Sequence, residues 1–171
     1  MRVLMLCNDL MEQLKQKQGM PNGKPESWIN GVYNMMQDTP ELEVMYLFPS
    51  KQQEFAFSEG RVEFRSYPQT RVNRLEREQL EAFTELVKSF MPDVIHVFGT
   101  EYAHTYAMVK ACEALGYADR VLIHIQGLVK FYSHHYCANL PIRILRRKTF
   151  RDVLRGGGYG MSRGSSRYEA N

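Results

Sequence analysis

The stretch Asp93-Val-Ile-His-Val-Phe-Gly-Thr100 decides the fold class. It is a short apolar run interrupted by a single histidine, preceded by Pro92 and stopped by a glycine. Such a run, too short for a helix and without polar alternation, reads as a strand buried on both faces of a parallel sheet. On its C-terminal side a helical segment runs from about Tyr102 to Leu115, with Gly116 placed to cap it. Then Arg120-Val-Leu-Ile-His-Ile-Gln-Gly127 gives another buried strand with the same glycine ending. On its N-terminal side, Leu75, Leu80, Phe83, Leu86, Val87 and Phe90 recur at helical intervals from Arg74 onward, an amphipathic helix that Pro92 ends. Strand, helix, strand in this order implies right-handed crossovers and a mostly parallel sheet.

The rest of the chain extends the pattern. Arg2-Val-Leu-Met-Leu-Cys7 is another short apolar run and should be the central strand. The polar stretch behind it carries Gly19, Pro21, Asn22, Gly23 and Pro25 and reads as a long loop. Trp28, Ile29, Val32, Tyr33 and Met36 then share one face of a helix that should stop near Pro40. Leu42 to Phe48 is a strand closed by Pro49, and Val62 to Tyr67 is a weaker one, at an edge or on a hairpin because charges interrupt it.

Composition narrows the function classes. A chain of 171 residues, 44% hydrophobic, suits one α/β domain with a sizeable core. Cys7, Cys112 and Cys137 stand far apart without a CxxC pair, so neither a disulfide framework nor a zinc ribbon is indicated. Val3 to Cys7 is too short for a signal core or a membrane span, and a cytoplasmic protein is expected. Between Arg143 and Arg167 eight basic residues face Asp152 alone, a net charge of +7 that leaves −4 for the remainder of a chain of net +3. That segment suits phosphates or an anionic membrane surface at the inner face, or else is a solvated helix face. Nucleic acid is not expected as a partner, because the basic run lacks interleaved aromatics and the body is acidic. Gly156, Gly157, Gly158 and Gly160 follow a helix and lack the Lys-Ser/Thr pair of a phosphate loop, so they read as a flexible link. His134, His135 and Cys137 have no further ligands at metal spacing, and no metal or other cofactor is expected. Phe131, Tyr132 and Tyr136 read as packing residues.

In open α/β sheets, ligands bind beyond the carboxyl ends of the strands. Three ends converge here: Asn8 with the loop through Gly19, Gly99-Thr100-Glu101, and Gln126-Gly127-Leu128. Glycines there permit close approach of a ligand, and the helices that follow offer unpaired N–H groups. His96 reads as a satisfied buried histidine, and His104, just past the strand end, as either a cleft or a surface residue. His124 shares a face with Gln126, because strand side chains repeat every second residue.

With these segments the chain resembles the N-terminal domain of family 4 glycosyltransferases, retaining enzymes of GT-B architecture whose two Rossmann-like domains face a cleft. The resemblance rests on the first strand and its loop, on Glu26-Ser-Trp-Ile-Asn-Gly-Val-Tyr33, on Pro92 to Glu101, on Val121 to Leu128, and more weakly on Leu145 to Leu154 and Arg163 to Glu169. It implies a Rossmann-like sheet with helices on both faces in three layers, spanning residues 1–155, with 156–171 a glycine-rich tail. It further implies a nucleotide-diphosphate sugar as donor substrate and a glycan or lipid-linked acceptor, as in surface polysaccharide synthesis. Gly19 or Gly23 would lie near the donor diphosphate, and Thr100, Glu101, His104, Gln126 and Gly127 on the acceptor side. Many members have a histidine where this chain has Gln126; glutamine can hydrogen-bond a hydroxyl but cannot titrate near neutral pH. The donor-binding domain with its paired glutamates would follow in sequence, so the chain alone reads as an inactive half-enzyme. The alternative is a non-catalytic module that binds carbohydrate or nucleotide.

Overall fold

The computed structural model describes residues 1–20, 28–51, 54–69, 75–125, 141 and 143. The chain divides into two compact units, Met1–Gln126 and Gly127–Asn171. All elements described below belong to the first. The sequence-predicted boundary after residue 155 lies outside the described residues, as does the basic run apart from Arg143.

The elements, in chain order, are β1 (Arg2–Leu6), α1 (Glu12–Lys17), α2 (Trp28–Gln37), β2 (Glu43–Ser50), β3 (Ala56–Glu59), β4 (Val62–Pro68), α3 (Arg77–Phe90), β5 (Val94–Phe98), α4 (Ala103–Leu115) and β6 (Val121–His124), the last preceded by a 3₁₀ turn at Ala118–Arg120. The sheet has six strands in the order β3-β4-β2-β1-β5-β6. Every pairing is parallel except the β3–β4 hairpin. With the hairpin strand β3 set aside, this is the doubly wound order of a Rossmann-like sheet, with β1 central as its uninterrupted apolar run requires.

Both faces are covered because the apolar strands are buried on alternate sides. Leu4, Leu6, Met45, Leu47, Ile95 and Val97 pack with Phe83, Val87 and Phe90 of α3 and with Ala107, Met108 and Ala111 of α4. On the other face Met5, Cys7, Val44, Tyr46, Phe48, Phe64 and Phe98 pack with Leu14 of α1 and with Ile29, Tyr33 and Met36 of α2. The helices of the first set end on left-handed residues, Met91 at φ 47° and Gly116 at φ 72°. Pro92 follows the first, and Gly116 is the cap that the sequence indicated.

Two local readings of the sequence need correction. The segment after β1 is not all loop: Glu12–Lys17 is helical, held by an apolar anchor, Leu14, and started without a side-chain cap. Pro49 does not close β2, which continues to Ser50. Leu47 accepts from the amide of Cys7 on the β1 side, so Pro49, two residues on, turns its missing N–H toward a neighbour that has already ended. The strand Val62–Pro68 is on a hairpin, as one alternative held, and the edge is the unforeseen β3.

Candidate functional site

From β1 the chain crosses to β2 on one side, and from β5 it crosses to β6 on the other, although β1 and β5 are neighbours. The two connections leave in opposite directions and open a crevice beyond the carboxyl ends of these strands, where doubly wound sheets bind ligands. Its floor is Cys7-Asn8-Asp9 after β1 and Gly99-Thr100-Glu101 after β5.

The loop after β1 is irregular, so its carbonyls need donors from elsewhere. Two buried tyrosines supply them from opposite faces: the Tyr46 hydroxyl donates to the Asp9 carbonyl at 2.9 Å, and the Tyr67 hydroxyl to the Cys7 carbonyl at 2.8 Å. The Asp9 carboxylate accepts from the Leu10 amide at 2.8 Å and pairs with Lys15 at 2.6 Å. Cys7 is no nucleophile here, because burial pushes its thiol up to about 12.

The loop after β5 is clamped in the same way. Gly99, buried at φ 87°, donates its amide to the His124 carbonyl at 2.9 Å and accepts from the Thr105 hydroxyl at 2.8 Å. A side chain at this left-handed position would strain the turn that ties β5, β6 and α4 together. Beyond it, Thr100 is exposed and Glu101 half-buried, and the Glu101 carboxylate accepts from the Thr100 amide at 2.9 Å. That hydrogen bond fixes a carboxylate at the mouth of the crevice with further lone pairs facing outward for hydroxyl donors.

The two faces of the sheet differ at this strand end. On the α3/α4 face His104, in the first turn of α4, is only 7% exposed. The Tyr102 ring stacks on it at 5.2 Å, Tyr67 lies at 5.4 Å, and its Nε2 is buried without a hydrogen-bond partner. Burial lowers its pKa to about 4, so the ring is neutral at neutral pH. On the α2 face, Phe98 is covered by Trp28 at 4.8 Å and neighboured by His96 at 4.1 Å and His124 at 5.4 Å. Trp28 remains 46% exposed.

Of the residues singled out in the sequence, Thr100 and Glu101 stand at the switch point. His104 is at the same strand end but sealed beneath Tyr102, neither cleft-lining nor on the surface. Gly19, at φ 67°, terminates α1 through hydrogen bonds from its own amide and that of Met20 to the last turn. Its place is set by the neighbouring Lys17, which pairs with Glu59 where the β3–β4 hairpin turns, at the amino end of β4. It is therefore not brought together with Gly99–Glu101. Gly23, Gln126 and Gly127 lie outside the described residues. His96 is not the satisfied core histidine expected: it is half-buried with Nε2 unpartnered, and desolvation followed by the nearby His124 lowers its pKa. The sequence reading missed the tyrosine pegs and the exposure of Trp28, which helical spacing had assigned to the core-facing stripe. The signal available was its position at the very start of a helix.

Among the described residues no group of three His, Cys, Asp or Glu side chains could hold a metal ion, and no helix is long and apolar enough to cross a membrane. The fold and the arrangement of its strand ends define the class: a doubly wound, Rossmann-like α/β domain with its topological switch point between β1 and β5. Comparison with family models, with curated proteins and with solved structures finds no match.

Proposed function

We propose that this domain is the acceptor-side half of a retaining glycosyltransferase, which moves a sugar from a nucleotide-diphosphate donor to a glycan or lipid-linked acceptor and has little activity by itself. One observation carries the reading. The segments that resemble the family, Arg2–Cys7, the Trp28 helix, Pro92–Glu101 and the strand from Val121, fall on β1, α2, β5 and β6, and their ends meet at one edge of the sheet. The chemistry there fits a polyhydroxylated ligand. The Glu101 carboxylate and the Thr100 hydroxyl offer an acceptor-rich mouth, while the unpartnered histidines of either face are held neutral. A negative mouth disfavours a diphosphate, so the donor would be held chiefly by a second domain.

Catalysis by positioning fails when half the cleft is absent. The 171-residue chain is therefore expected to give no donor-dependent product. A protein in which a donor-binding domain completes the cleft is expected to transfer sugar, with Glu101→Gln lowering kcat/KM roughly tenfold, the loss of about one charge-assisted hydrogen bond. Sustained transfer by the isolated chain, or submicromolar binding of a uridine or guanosine diphosphate sugar to it by calorimetry, overturns this reading.

A further inference from the structure

Tryptophan is the largest apolar side chain, and the single one in this chain is Trp28. It stands at the first position of α2 with 46% of its surface exposed. It is not a stray surface residue, because its ring lies over Phe98 at 4.8 Å with an inclination of 31°. Phe98 is the last residue of β5 and pairs in register with His124, the last residue of β6. The His124 ring is inclined by 25° to that of Phe98, at 5.4 Å. One pleat further back His96 lies 4.1 Å from Phe98 and 6.1 Å from His124. These rings form one stepped layer at the carboxyl edge of β5 and β6, on the α2 side of the switch point.

The layer also carries a polar group at its open face. The His124 imidazole is exposed there, whereas His96 Nε2, like His104 Nε2 on the other side of the sheet, is buried without a hydrogen-bond partner and lies beneath that face. Stacked aromatic surface with a few convergent polar groups is the composition of a small-molecule site. The negative faces of aromatic rings attract the weakly positive C–H bonds on the apolar side of a pyranose, while imidazole nitrogens match its hydroxyls. A nucleobase is better held in a slot between two parallel rings, whereas this layer offers one open, stepped face.

We propose that Trp28, backed by Phe98 and flanked by His124 and His96, is a stacking subsite for a pyranose ring of the acceptor. This rests on the glycosyltransferase reading and adds to it the residue that would recognise the sugar. Because Trp28 is the sole tryptophan, intrinsic emission reports the subsite directly. The chain is titrated with methyl pyranosides of glucose, galactose and mannose and, in parallel, with uridine. Binding is followed by tryptophan emission and by saturation-transfer NMR on the sugar protons. At least one pyranoside is expected to shift the emission at millimolar concentration and uridine is not. Trp28→Phe, which keeps an aromatic face, is expected to hold saturation transfer within about threefold of the parent, and Trp28→Ala to lose it tenfold or more, with circular dichroism unchanged in both. A pyranoside that binds without altering Trp28 emission, or equally to Trp28→Ala, overturns the subsite and leaves the glycosyltransferase reading standing. A response to uridine alone overturns the pyranose assignment, and no response to any pyranoside by either readout overturns the subsite. The parent reading is judged separately, by transfer with the completed cleft.

Discussion

His104 and His96 flank the end of the same strand from opposite faces of the sheet, and their fates differ because on one face helices close over that strand end, whereas on the other the Trp28 ring lies over it at the start of α2. On the first face α3 and α4 complete a core in which Phe83, Val87, Ala107 and Ala111 have no exposed surface. His104 is caught in that core between Tyr67 and Tyr102 and stays neutral. On the other face α1 and α2 cover β1, β2 and β4 through their buried residues, while β6 keeps Leu122 and His124 exposed. His96 sits at the margin, half-buried, with only the Trp28–Phe98 pair between it and the crevice. Identical residue types thus meet different surroundings: His104 is sealed in a closed core, whereas beside His96 the Trp28 and His124 rings keep exposed surface for a ligand.

Truncation on the two sides sharpens the contrast most. Phe83→Ala removes a fully buried ring that meets Tyr67 edge-on at 5.1 Å, and urea unfolding should show a loss of roughly 3–5 kcal/mol. Trp28→Ala, although a larger deletion, should cost less, roughly 1–2 kcal/mol, because nearly half of that surface is already in water. Comparable losses at the two positions would abolish the distinction between a closed and an open face.

Acid should act chiefly on the closed face. An unfolded histidine takes up a proton near 6.5, whereas His104 in the fold does so only at about 4. Between these values the unfolded chain binds more protons, so the contribution of His104 is fully present above pH 6.5 and is lost as pH falls to about 4. The two states then differ by about 3 kcal/mol for this group. His104→Phe should flatten the stability profile in that window relative to the parent, while His96→Phe should change it much less, since His96 is only half-buried. Parallel profiles for the parent and His104→Phe would contradict the sealed, neutral state of His104.

Much of the fold was legible in the sequence because it follows from burial. The runs Arg2–Cys7 and Asp93–Thr100 can satisfy their apolar length only inside a parallel sheet, and they hold β1 and β5; the run from Arg120, read as another buried strand, instead gives β6 at Val121–His124, the last strand of the described sheet, where Leu122, Ile123 and His124 are exposed. Gly116 declared the end of α4 for the backbone reason that a left-handed cap requires. The elements that escaped are short and held by few anchors. The helix Glu12–Lys17 buries Leu14 and spans too few residues to show a period. The edge strand Ala56–Glu59 has four residues, none of them buried, so neither its length nor its composition separates it from a loop. Of the site, the strand ends were readable because topology fixes where they meet. The tyrosine pegs and the Trp28 shelf were not, since they join residues tens of positions apart whose meeting depends on side-chain direction.

A saccharide bound at the carboxyl edge of β1 and β5 would be located by amide mapping with heteronuclear NMR. Titrating the labelled chain with the pyranoside that binds best should perturb Asn8, Asp9, Gly99 to Tyr102 and His124, together with the Trp28 indole N–H. The turns at the opposite edge, around Gly60, Met91 and Gly116, should remain still. Perturbations gathered at those turns, with the strand ends unmoved, would contradict the account.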